Sequence, residues 1–162
     1  METDNETLTT PQRWAEFLVV AAMLLLFGFF SYHQLANTGF FTEKFGALET
    51  VCLYGPILAA LIAPVVRAVT GRRNPARPFE AARTAFLAAG SLWLLIVFPF
   101  NFAHLADTLP VSLRFALAWV TDDIGKIPLL IQVILGPVAG IPILWKYFSQ
   151  RRQTIRQQQQ YT

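Results

Sequence analysis

The chain has 162 residues, 54% of them hydrophobic and only 14% charged, with mean hydropathy +0.44 and net charge +3. A soluble domain carries about 25% charged residues, so the composition excludes an ordinary water-facing surface and indicates an integral membrane protein. Cys52 is the single cysteine, which excludes an internal disulfide or a thiolate metal cluster.

A membrane-crossing helix needs roughly 20 mostly apolar residues. Stretches of that kind, bounded by charged residues, occur four times: after Glu16, between Glu49 and Arg67, between Arg83 and Asp107, and between Lys126 and Lys146. They predict one all-α membrane domain over residues 1–162, with spans at about 15–36, 49–68, 82–106 and 124–147. Helices satisfy their own backbone in hydrocarbon, and the alternating short strands of a barrel are missing. The first stretch reads as a retained span rather than a cleaved leader, because its apolar run is long and no small-x-small site follows.

Between the third and fourth spans lies TLPVSLRFALAWVTDD, too short to cross and carrying Arg114. Pro110 suits a first helical turn, and Leu113, Leu117, Val120 and Ile124 fall on one helical face. The segment predicts a short amphipathic helix over about 110–121, lying in the interface and anchored by Phe115 and Trp119. The tail, 149–162, is basic and Gln-rich and reads as frayed helix or disorder with an attraction to anionic lipid.

Arg13, Arg67, the four arginines from Arg72 to Arg83, Lys146 and the three tail arginines fall on one side of this topology. Lys44, Arg114 and Lys126 fall on the other. The positive-inside rule then puts both termini in the cytoplasm and suggests a plasma (inner) membrane. Nothing resembles a nucleic-acid recognition module, and the spans leave no room for one.

Small residues let membrane helices approach closely. Three lines of them stand out: Ala59 with Ala63, Ala81 with Ala85 and Ala89, and Gly136 with Gly140. They predict packing within the bundle, with self-association as the sharper alternative. Pro56, Pro64, Pro99, Pro128, Pro137 and Pro142 fall inside predicted spans and suggest kinks, with Gly136–Pro142 as a possible helix break.

No Asp, Glu, Lys or Arg falls in the middle of a predicted span, which argues against an ion-coupled carrier. Gln132 and Ser91 are the deep polar side chains, suited to a hydrogen bond between helices. Single cysteine usage excludes a disulfide-forming oxidase, and the first span lacks the buried carboxylate of small multidrug exporters.

Polar residues gather at the opposite end from the arginines. His33 and His104 fall at similar depth, with Glu49, Asn101 and Asp107 nearby. Two histidines can hold a haem between helices, and His33, His104, Asp107 and Glu49 are a candidate metal set. No catalytic motif surrounds them. The sequence therefore favours a non-enzymatic accessory or interaction protein whose partners are the bilayer and another membrane protein or a second copy. The alternatives are a haem- or metal-binding redox protein using His33 and His104, and a small transporter or channel using the fourth span.

Overall fold

The structure, a computed structural model, describes residues 7–71 and 76–160, with the side chains of Arg77, Ile143, Leu144 and 146–160 outside the description. It contains four long helices: α1 (Thr10–Leu35), α2 (Ala47–Thr70), α3 (Arg77–Val97) and α4 (Asp122–Gln160). Each includes a stretch long and apolar enough to cross a membrane. The chain is thus all-helical and fits an integral membrane protein. Of the basic residues used above for orientation, Arg72 and Arg73 lie outside the described residues, as do the side chains of Arg77, Lys146, Arg151, Arg152 and Arg156.

Helix ends follow local chemistry. The Gln12 carboxamide accepts the Thr9 amide at 3.1 Å, with Pro11 in the first turn of α1. The Glu49 carboxylate accepts the Gly46 amide at 3.0 Å and caps α2. Gly71 closes α2 in the left-handed region (φ 66°), its amide donating to the Arg67 carbonyl at 2.8 Å.

Two ends differ from expectation. α3 stops at Val97 instead of running to 106: Phe98 turns left-handed (φ 40°), and Pro99 has no amide hydrogen with which to continue. Pro99 is a terminator rather than a kink. α4, by contrast, runs unbroken through Gly136–Pro142. The segment expected to form one interfacial α-helix forms a 3₁₀ turn at Val111–Ala116, preceded by another at Phe102–Thr108. Phe115 and Trp119 are exposed there, while Leu117 and Val120 pack on the aromatic core.

Consecutive helices pack on one another, α1 on α2, α2 on α3 and α3 on α4. α1 and α4 share no comparable seam, so the helices form an open arc with α2 and α3 at its centre. The tight contacts use glycine. A Cβ on Gly90 would lie 2.8 Å from the Cys52 carbonyl oxygen, and one on Gly136 would lie 2.6 Å from the Ala88 Cβ. Gly140 faces Thr84. α3 therefore offers α4 the line Thr84–Ala88. Ala81 is buried, but Ala85 and Ala89 are exposed, since one residue along a helix turns the side chain by about 100°. On α2, Ala63 is buried and Ala59 is half-buried.

The ends of α1 and α3 away from the arginines are joined by phenylalanine. Phe40, 1% exposed, meets Phe30, Phe41, Phe100 and Phe102 at centroid distances of 5.9, 5.0, 5.5 and 5.3 Å. Backbone bonds run from Asn101 N–H to the Phe40 carbonyl (2.7 Å) and from Thr42 N–H to the Pro99 carbonyl (3.0 Å), around an antiparallel Phe41–Phe100 bridge.

Adding one methyl at Gly136 forces α4 off Ala88, and overpacking of that kind costs about 1–3 kcal/mol. Gly136→Ala is expected to lower the unfolding temperature in detergent micelles. Gly28→Ala, at a site with nothing within 4 Å, should leave that temperature unchanged or raise it. Equal behaviour of the two variants would refute the α3–α4 contact.

Candidate functional site

The open arc encloses a partly open cavity of about 510 Å³. Each helix contributes to it: Met23 and Leu26 from α1, Pro56, Ile57 and Ala60 from α2, Leu87 and Leu94 from α3, Pro128 and Leu129 from α4. Phe30, Phe40, Phe100 and Phe102 close one end. Phe102 is fixed from both sides: its amide donates to Asp122 Oδ1 at 2.8 Å, and its ring rests against Gly125, where a Cβ would collide with it.

Among the described residues, three polar side chains line the cavity besides Cys52: Ser91, Gln132 and Arg83. Ser91 Oγ donates to Gln132 Oε1 at 2.5 Å, joining α3 to α4. This is the interhelical bond expected from the sequence. Arg83 stands at the other end of the cavity. Arg83, Leu87 and Ser91 are spaced by four and so share one face of α3. From Arg83 to Leu94 is eleven residues, about 16 Å of helix.

The arginine end is held by ion pairs. Arg67 Nε and Nη2 donate to the two Glu16 oxygens at 2.7 and 2.8 Å, and Arg67 also pairs with Glu80. Arg13 donates to the Ala68 carbonyl at 3.1 and 2.6 Å. α1, α2 and α3 are thereby tied together. Arg83 is half-buried and takes no hydrogen bond or ion pair among the described residues; its charged neighbour is another cation, Arg67.

At the aromatic end the predicted histidine cluster is partly assembled. His104 Nδ1 pairs with Asp107 Oδ2 at 2.8 Å, and Asp107 lies 3.6 Å from Arg114. Eclipsing of i and i+3 in a 3₁₀ turn brings the first pair together. The His104 ring covers Gly39 (φ 88°), where a Cβ would sit 3.0 Å from the ring. His33, 1% exposed, pairs its Nδ1 with Thr38 Oγ1 at 2.6 Å. Its Nε2 is buried with no hydrogen-bond partner among the described residues, and the rings of Phe29 and Phe40 lie 4.8 Å away. Glu49 is engaged elsewhere, accepting from Trp93 Nε1 at 2.9 Å and from Gly46. Among the described residues, no three His, Cys, Asp or Glu side chains are grouped to hold a metal ion.

Sequence reasoning placed Arg83 at the edge of a span, because it ran that span to residue 106. With α3 ending at Val97, the candidate span becomes Pro78–Val97, and Glu80 and Arg83 both fall within it. Phe98-Pro99-Phe100 carried the signal, since a proline disfavours helix at the residue before it.

No family model, curated protein or solved structure matches the chain.

The hydrogen bond from His104 holds the Asp107 carboxyl below its ordinary 3.8, with Arg114 acting in the same direction. A carboxyl lowered by folding contributes stability that is present above its unfolded pKa and lost as pH falls through the folded value. The 102–116 segment is therefore expected to loosen below pH 3.8. Trp119 fluorescence across an acid titration should report this, and Asp107→Asn should abolish that acid step.

Proposed function

We propose that the protein is a non-enzymatic integral membrane binding protein that holds a lipid-like molecule, entering from the bilayer between α1 and α4. The single observation that carries this reading is the apolar, partly open cavity of about 510 Å³ lined by all four helices, the first and last of which share no comparable seam. A void of that size forfeits dispersion contacts along its whole lining. Apolar cavities take up apolar molecules more readily than water. In a bilayer the neighbouring solvent is hydrocarbon, and the gap between the first and last helices is where it enters.

By the positive-inside rule, the arginine end faces the cytoplasm. Binding a membrane component is the kind of role expected of an accessory or interaction protein. The two alternatives have weaker support. His33 has one ring nitrogen committed to Thr38 and the other enclosed by aromatic rings, which leaves no open ligand position for haem. α4 is continuous where a discontinuous helix would serve transport.

Native mass spectrometry after gentle extraction is expected to show one tightly held adduct of lipid mass. Ala60→Phe projects a ring into the cavity and should reduce the retained fraction at least tenfold, with the unfolding temperature held or raised. A protein that carries no adduct, or an Ala60→Phe variant that retains it undiminished, would overturn the reading.

A further inference from the structure

Among the described residues the cavity has one charged side chain, Arg83, and none of them supplies it with a counterion. Two carboxylates, Glu16 and Glu80, stand at the arginine end, and both are taken by Arg67. Arg13 is occupied by the Ala68 carbonyl. Arg83 is left, lining the cavity within the candidate span Pro78–Val97 and beside a second cation. An ionisable side chain within a membrane span is by default a candidate functional site, because it needs a partner there. None of the charged groups described at this end supplies that partner.

We infer that the cavity takes an anionic membrane lipid, with its phosphate head on Arg83 and its acyl chain running along α3 toward Phe40 and Phe100. This rests on the proposed binding function and adds the class of ligand. The geometry suits an amphiphile. A guanidinium offers a planar fork to two phosphate oxygens. Beyond it the wall is Leu87, then the mutually bonded Ser91 and Gln132, then Leu94 and the phenylalanine cap. Basic pockets between membrane helices bind anionic headgroups in this manner.

The tail cannot supply the selectivity. An acyl chain moving from bilayer to cavity exchanges one apolar environment for another, and lipid offers no hydrophobic drive for association. Recognition must come from the polar end. There the cation is partly desolvated, and the nearby carboxylates Glu16 and Glu80 are engaged by Arg67. Arg67 beside the site is already paired with Glu16 and Glu80, so Arg83 is the cation that the phosphate meets.

The test is native mass spectrometry of the full chain, delipidated in detergent and titrated separately with dioleoylphosphatidylglycerol, dioleoylphosphatidylcholine and dioleoylglycerol. The expected result is one retained phosphatidylglycerol per chain, favoured at least tenfold over the other two and not displaced by millimolar inorganic phosphate. Arg83→Gln should still retain one lipid but without preference among the three, and Arg83→Lys should keep part of the preference. If Arg83→Gln does not fold, Arg83→Met, whose unbranched side chain is at ease in hydrocarbon, replaces it. Equal retention of the three lipids by the unmodified chain overturns the inference, as does a preference that survives in the folded Arg83 variant. Displacement by inorganic phosphate would show a free-anion site instead. Ala60→Phe separates the two levels. If it abolishes retention while the unmodified chain takes all three lipids alike, the cavity reading stands and only the anionic head is rejected. If it retains phosphatidylglycerol with the same preference, the lipid lies outside the cavity and both readings fall.

Discussion

Pro99 has no amide hydrogen to donate to the Leu95 carbonyl, and its ring disfavours helical geometry at Phe98. That one residue ends α3, and much of the remaining architecture follows from it. The chain leaves the helix with Phe98 left-handed, a conformation that costs of order 1–3 kcal/mol for a residue other than glycine. Its backbone then needs partners, because irregular chain at membrane depth is tolerated only where protein surrounds it. The loop after α1 supplies them through Phe40, Thr42 and the Phe41–Phe100 bridge. Phe40, Phe100 and Phe102 are thereby stacked over the end of the bundle, and Lys126 sits 4.9 Å over the Phe98 ring. The aromatic cap compensates locally for the strained exit.

A closed end makes a cavity only if the helices beneath it are held apart. Here the small residues are distributed unevenly. Gly90 brings α3 against the α2 backbone, and Gly136 brings α4 against Ala88. α1 has no such contact, since Gly28 faces nothing within 4 Å. It is fastened to its neighbours at its two ends instead. Glu16 on Arg67 holds one, and at the other Tyr54 donates to Gln34 Oε1 at 2.9 Å while His33 packs on Phe40. Pinned at both ends and loosely packed between, α1 can stand away from α4. That separation is what opens the arc.

The four spans were legible because hydrocarbon imposes a blunt requirement on length and charge, and the sequence meets it four times. Span ends were harder to read. Phe98–Ala106 carries no Asp, Glu, Lys or Arg, so the charge criterion extended the third span through residues that the proline had already turned aside. The same error hid Arg83, whose position relative to the membrane depends on where the opposite end of its helix falls. The reverse misreading occurred in α4, where the two prolines and two glycines of Gly136–Pro142 suggested a break that the helix does not make. Gly136 there serves contact with Ala88 rather than flexibility. At the histidine cluster, depth alone grouped His33, His104, Asp107 and Glu49. It could not foresee that Glu49 would cap its own helix and bond Trp93, while a 3₁₀ turn would bring His104 onto Asp107.

Arg67 and Arg83 mark the boundary between structure and function in this bundle. Both lie on the arginine side of the span and both are partly buried, but they differ in what surrounds them. Arg67 is saturated by carboxylates from two other helices, and removing it would take that partner from both Glu16 and Glu80. Arg83 contributes no such tie. An arginine that lines an apolar cavity without a carboxylate among the described residues is costly, and a leucine would pack there more favourably if packing were its whole role. The charge makes physical sense under the proposed binding of an anionic lipid, because the low dielectric that penalises an isolated cation strengthens its bond to a phosphate.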